Sequence, residues 1–298
     1  ACRAASGRAE GGEFVQDPTK ATSTLVPLMG APPLSPMNPS ASAAPFDPAA
    51  PPLGIRSLTP TDCPGWSVQD QLSHLVGSEC RLLGRPLPEH VPEDTGHVKN
   101  DSGQRNEVLV DFRRSRYGSQ GLEEFQEVTE ERLAILRGMT ESDFDEETDT
   151  PIGRAPVREL LAIRIFDAWV HEQDVRRAVG QPGHMDGAVA RHAMDRMVMA
   201  MPYVVGRKVQ PEDGTGVVIN VSGLAGRVFA VAMEGKRASL LPSLPVPPTV
   251  SLSMDLETFA CLACGRWEPR TVLDTERISI QGDRALGESI VENLNFMI

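Results

Sequence analysis

The segment from Pro156 to Ala178 is the strongest constraint this sequence places on its fold. Pro156 suits the first helical position because its φ is already fixed near the helical value, and Gly180 with Pro182 just beyond marks a stop. A helix over this span is therefore expected. Arg164, Asp167, His171 and Asp174 recur at spacings of three and four, which puts them on one helical face. Around them Ile163, Ile165, Phe166, Trp169 and Val170 make the middle of the helix apolar on nearly every other side, as in a helix surrounded by protein. Ionisable groups at that depth need partners or a metal, because an unpaired buried charge is very costly.

Asp167 and His171, at i and i+4, can place a carboxylate oxygen and an imidazole nitrogen on one cation, as helix-borne zinc sites do. Zinc sites that do chemistry take three protein ligands and leave a fourth position open. His74 is the best third donor. It lies on an expected helix from Ser67 to Leu83, started by a Ser67–Asp70 capping box. With Leu72, Leu75, Val76, Glu79 and Leu83 as the inward side, His74 falls on the opposite, polar side with Asp70 and Ser78. A metal there would sit outside the main apolar seam, against a second domain. The Asp-x3-His spacing fits an ion pair or a hydrogen-bonded histidine as well, so spacing alone leaves both readings open.

Residues 1–60 hold 11 of the 25 prolines, carry no net charge and show no periodicity, so they are expected to be disordered. The sequence opens on Ala rather than Met, so its natural start is expected elsewhere. Helices are expected over 104–116, 122–139 and 188–201. Short β-branched strands follow at 216–221, 228–233, 238–241 and 249–254, then a helix over 256–264, a strand over 277–281 and a closing helix over 285–295. This is an α+β chain, with a helical domain at 61–208 and a smaller α/β domain at 209–298. A net charge of −12 argues against a nucleic-acid partner, and the pairs Arg113-Arg114 and Arg176-Arg177 read as solvated helix faces. No membrane span or secretory leader is visible, and five cysteines without regular spacing suit reduced thiols, so a cytoplasmic location is expected. Cys261-x-x-Cys264 reads as helical packing rather than a zinc ribbon or redox pair. His90, His97, His184 and His192 show no carboxylate partner at a local spacing.

Cys63-Pro64-Gly65-Trp66-Ser67-Val68, Leu72-Ser73-His74-Leu75 and the run Phe166-Asp167-Ala168-Trp169-Val170-His171-Glu172-Gln173-Asp174-Val175-Arg176-Arg177 resemble the mycothiol-dependent maleylpyruvate isomerase family of actinobacteria. His97-Val98-Lys99-Asn100-Asp101, Asn106-Glu107, the segment Phe259 to Arg266 and the closing Asn295-Phe296-Met297-Ile298 extend the resemblance over 61–298. It implies a DinB-like four-helix metal-binding bundle followed by a small sterol-carrier-like α/β domain. It also implies zinc, or another divalent transition metal, on His74, Asp167 and His171, with mycothiol or a similar thiol as cofactor. Two departures stand out. Asp167 replaces the family's Glu, and the Pro-rich residues 1–60 are a poor source for the helix that normally precedes the Cys-Pro-Gly-Trp turn.

The implied function is a zinc-dependent, thiol-using isomerase or transferase acting on a small electrophile. Arg164 and Asp174 flank the ligand pair, either fixing the imidazole or forming ordinary salt bridges. A non-catalytic metal- or small-molecule-binding protein and a metal-hydroxide hydrolase are the alternatives, and an open coordination position separates an enzyme from a structural site.

Overall fold

The computed structural model describes residues 57–297. The expectation of disorder for residues 1–60 therefore lies outside the described residues, except for 57–60. Ser67 starts helix α1 (Val68–Leu82): its side chain accepts the Asp70 N–H while Asp70 Oδ2 accepts the Ser67 N–H at 2.8 Å, completing the expected capping box. Helix α2 (Asp101–Arg114) begins earlier than the apolar pattern suggested, because Asn100 accepts the Gly103 N–H at 2.9 Å and caps it there. Helix α3 (Gly118–Gly138) follows. A polar hairpin of β1 (Glu147–Thr150) and β2 (Gly153–Pro156) then leads into α4 (Val157–Ala178). At the far end of α4, Gly180 has φ 66°, and the N–H groups of Gly180 and Gln181 close onto the carbonyls of Arg177 and Arg176. Those two bonds form the Schellman ending that needs a residue free to take positive φ.

These four helices make the bundle, and α1 touches each of the other three. Leu72, Leu75 and Val76 of α1 pack with Phe125, Val128 and Val175 to fill its apolar seam. Helix α5 (Gly187–Tyr203) then runs into a π-helical turn, Val204–Val209, that ends where Gln210 adopts φ 55°.

The sheet part comprises β3 (Gly216–Ser222), β4 (Val228–Glu234), β5 (Arg237–Leu241), β6 (Val250–Asp255) and β7 (Ser279–Gly282). Their order is β5-β4-β3-β6-β7, antiparallel except for the parallel pair β3–β6. Val250, Leu252 and Met254 alternate inward along β6, the period of two expected for a strand with one face on a core. Helix α6 (Leu256–Ala263), the short α7 (Pro269–Leu273) and α8 (Arg284–Glu292) complete the chain. One continuous apolar core joins α4 and α5 to the sheet, with Trp169, Met197, Ile219, Leu252, Phe259 and Ile290 in it. The bundle and the sheet are thereby held in fixed register, and α4 contributes to both.

Candidate metal centre

His74, Asp167 and His171 converge where α1 crosses α4, each offering one donor atom within 4.8 Å of the others. His74 Nε2 lies 3.2 Å from Asp167 Oδ2, and His171 Nε2 lies 3.4 Å from Asp167 Oδ1. The two imidazole centroids are 4.5 Å apart. Both histidines are buried, and Asp167 is the half-open member of the group. His74 does lie off the apolar seam, as its helical phase suggested. The face is buried rather than solvated, because nearly the whole length of α1 is enclosed. Glu79 is also not an apolar-side residue: it receives Arg164 Nη2 at 2.9 Å and Arg132 Nε at 3.2 Å.

The surroundings fix the orientation of these groups. His171 Nδ1 meets Gln71 Oε1 and stands 3.6 Å from Asp174 Oδ2, which leaves Nε2 turned toward Asp167. Gln71 in turn donates to Thr61 Oγ1 at 2.6 Å. Arg164 Nη1 donates to Asp167 Oδ2, so Arg164 both forms a salt bridge on the helix and steadies a candidate ligand. Asp174 is fully buried between Arg177 and Arg266, the latter reaching over from the loop after α6 with Nη2 at 2.8 Å. Trp66 covers the pair from the turn before α1, its ring 5.2 Å from His74 and 5.7 Å from His171.

Burial pushes the His74 imidazole down to about 4, with Asp167 acting in the opposite direction. His74 is therefore neutral at physiological pH and has a lone pair to offer. Burial also works against charge on His171, but Asp167 and Asp174 outweigh it and raise its pKa. For Asp167, burial favours the neutral acid, yet His74, Arg164 and His171 overcome it and hold the carboxyl well below its ordinary value. Two imidazoles and one carboxylate form a donor set suited to a borderline divalent cation, with three protein ligands. His74 Nδ1 is buried with no hydrogen-bond partner among the described residues, so the site is under-satisfied as it stands. These residues fit a metal.

Several expectations need correction. Arg113, Arg114 and Arg177 are not solvated: Arg113 pairs with Glu124, Arg114 with Asp70, Glu107 and Asp111, and Arg177 with Asp62 and Asp174. Arg176 pairs with the buried Glu172. His90, His97 and His184 do have carboxylate partners, namely Asp111 at 2.6 Å, Glu107 at 2.9 Å and Glu172 at 2.7 Å. Each joins segments at least ten residues apart, beyond the reach of helical spacing. Gln71 was missed although it precedes His74 by three on the same helix, a spacing that would have found it. Cys261 and Cys264 are buried unpaired thiols in and just after α6, consistent with a role in helical packing.

A helical bundle with a buried two-histidine, one-carboxylate cluster, joined to a small mixed sheet, defines a class of candidate metalloprotein. Residues 57–176 match the family model described as the mycothiol maleylpyruvate isomerase N-terminal domain. A crystal structure of mycothiol-dependent maleylpyruvate isomerase has a similar fold, with 13% identity, a TM-score of 0.51, and coverage of 89% of this chain and 90% of that one. A single-residue mutant of that enzyme gives 14%, 0.50, 84% and 87%. A sterol carrier protein 2-like 2 structure from Aedes aegypti covers 35% of this chain and 97% of its own, at 17% identity and a TM-score of 0.29. No curated protein matches the sequence. Among the described residues no helix is long and apolar enough to cross a membrane.

Proposed function

We propose that this chain is a divalent-metal enzyme, with zinc the expected metal, that uses a low-molecular-weight thiol of the mycothiol type to isomerise or transfer to a small electrophile. The observation that carries this reading is the convergence of His74, Asp167 and His171 in a buried setting, within a bundle of the maleylpyruvate isomerase domain family. A bound divalent metal would supply a positive charge that lowers the pKa of an incoming thiol. His74, Asp167 and His171 would hold it. Gln71 and Asp174 keep His171 Nε2 turned inward, and Arg164 restrains Asp167. Arg81, exposed on α1, interacts electrostatically with Arg164, Arg105, Asp167 and Glu79, so charged groups of both signs surround the half-open side of the site.

The described cysteines nearest the site do not supply a nucleophile. Burial pushes Cys63 up to about 11 and Cys264 up to about 12, with Arg266 acting against it in both, and it raises Cys261 as well. Thiols so protonated are poor nucleophiles at neutral pH, which supports a sulfur supplied by an external thiol. In the isomerisation, thiolate sulfur adds to one alkene carbon and the electron pair moves onto the conjugated carbonyl. The carbon–carbon bond, now single, rotates, and return of the pair expels the thiolate and restores the double bond. A cytoplasmic location, small-molecule rather than nucleic-acid partners, and the placing of the site within 61–208 belong to the same proposal.

Metal analysis of the purified protein, followed by turnover of maleylpyruvate with and without added thiol and chelator, tests it. About one equivalent of divalent metal and turnover that needs both metal and thiol are expected. Turnover that proceeds without thiol would favour a metal-hydroxide hydrolase. A metal that binds with no turnover under any condition would favour a binding protein.

A further inference from the structure

We infer that Glu107 is a positioning residue of the metal centre, acting through Trp66, whose indole it holds over the two candidate imidazole ligands. This rests on the metal reading given above. Glu107 lies on α2 and none of its side chain is exposed. Its Oε2 accepts Trp66 Nε1–H at 2.9 Å. The same oxygen is 2.9 Å from His97 Nε2, and Arg114 Nη1 stands 2.7 Å from the other carboxylate oxygen. The Trp66 ring is inclined at 37° to His74 and 33° to His171, so one indole face spans both histidines.

The turn that carries Trp66 is locked from the same side. Gly65 has φ 77°, and a Cβ at that position would come within 2.4 Å of the His97 ring. Only glycine fits there, and His97 packs directly on the turn. Two loops far apart in sequence, 63–66 and the one bearing His97, are thus pinned to a single carboxylate on α2. A buried carboxylate held by Arg114 and His97 is a costly way to anchor an aromatic ring, since an apolar contact would hold it at least as stably. What the carboxylate adds is a directed acceptor. The indole N–H has one acceptor, and satisfying it fixes the ring plane above the histidines. Glu107 itself makes no hydrogen bond to His74, Asp167 or His171, so its effect on them must pass through Trp66.

The test uses Co2+ as the probe, in full-length protein and in three variants, Glu107→Leu, Glu107→Gln and Trp66→Phe. Readouts are Co2+ affinity by chelator competition, the visible Co2+ absorption band, and quenching of tryptophan emission, with circular dichroism to establish folding. In the wild type, Co2+ should quench a component of emission that is absent from Trp66→Phe. Glu107→Leu should lose most of that quenching, shift the visible band and weaken Co2+ binding about 10- to 100-fold. Glu107→Gln keeps an acceptor for the indole N–H and should recover most of the wild-type affinity and spectrum. A purely structural role would not produce this rescue together with the change in the metal's own absorption. A folded Glu107→Leu with wild-type affinity and band overturns the inference. If that variant does not fold, Trp66→Phe decides: unchanged affinity and band overturn it, whereas weaker binding with a shifted band supports it. Wild-type protein that takes up no Co2+ overturns the metal reading and this inference together, a result distinct from the other two.

Discussion

The seam between α1 and α4 and the core under the sheet are both largely buried, yet they are built from opposite materials. In α1 the buried positions include Gln69, Asp70, Gln71, Ser73, His74 and Ser78, and α4 buries His171, Glu172, Gln173 and Asp174. Beyond residue 204, the buried polar side chains among those described are Thr215 and Thr258 alone. Apolar burial contributes stability in rough proportion to area, whereas buried ion pairs come close to break-even once desolvation is counted. The sheet core is therefore the source of most of the stability. The bundle seam accepts neutral or unfavourable burial to keep a set of donors in place, and α4 carries both tasks, with Trp169 facing the core while Asp167 and His171 face the seam.

Removing donors gives the sharpest test of that division. His74→Ala or His171→Ala should abolish stoichiometric metal binding and, with it, thiol-dependent turnover, because two of the three ligands cannot hold a catalytic site alone. Metal analysis after exhaustive dialysis reads this directly, and a full equivalent retained by both variants would place the site elsewhere. Phe259→Ala strikes the other region. Phe259 is fully buried and its ring centroid is 6.0 Å from that of Phe229, so truncation should cost about 3–5 kcal/mol by urea unfolding. The folded fraction should keep its metal stoichiometry. Were the stoichiometry to fall in parallel with stability, the two regions could not be treated as separate.

How much of this was readable in advance follows the same boundary. Regular signals were legible: the Ser67–Asp70 box, the Gly180 stop, the β-branched runs of β3 and β6, and the i, i+4 pair Asp167/His171, all of them set by neighbours within a few residues. The fold was legible for that reason, and His74 became a candidate through its helical face and the family resemblance. The β1–β2 hairpin was not, since Glu147–Thr150 and Gly153–Pro156 are short, largely polar and nowhere fully buried, with no apolar alternation to announce them. Nor were the long-range ion pairs. Arg114 reaches Asp70 across 44 positions and Arg177 reaches Asp62 across 115, so a charged residue on a helix looked solvated until its distant partner was in view. Local pattern predicts elements well and says little about which buried charges meet.

The network at the base of α2 gives a smaller, pH-dependent effect. Burial alone would raise Asp111, but hydrogen bonds from His90, Arg114 and the Glu93 N–H outweigh it and hold its carboxyl below the ordinary value. A carboxyl depressed in the folded state adds stability above its unfolded pKa and loses that contribution as the pH falls through the folded value. Asp111→Asn should therefore cost about 1–2 kcal/mol at neutral pH, where charge-assisted bonds are lost, and almost nothing in strong acid. Thermal melts of both proteins at the two extremes check the sign. A difference that persists unchanged in acid would mean that packing rather than charge holds this corner.

The smallest effect expected is also the one that separates a protein-derived nucleophile from an external one. Cys63 lies on the turn beside the site, close enough to feel Arg266 and Asp174 and to hydrogen-bond Gln71. It is thus the cysteine a protein-thiol mechanism would choose. Its thiol is pushed up to about 11, mainly by burial, so at neutral pH the reactive thiolate is a minor species and Cys63 serves as packing for the turn. Cys63→Ala should keep the metal and the thiol-dependent turnover, at a stability cost of no more than about 1 kcal/mol, because it removes a small, half-buried side chain. Cys261 and Cys264 are fully buried, so Cys261→Ala and Cys264→Ala should cost somewhat more stability while sparing turnover equally. The assay needs metal-loaded, folded variants compared at matched concentrations of added thiol. If Cys63→Ala retains its metal yet loses all turnover, the nucleophile belongs to the protein, and the seam would have to be read as raising a reactive thiol rather than receiving one.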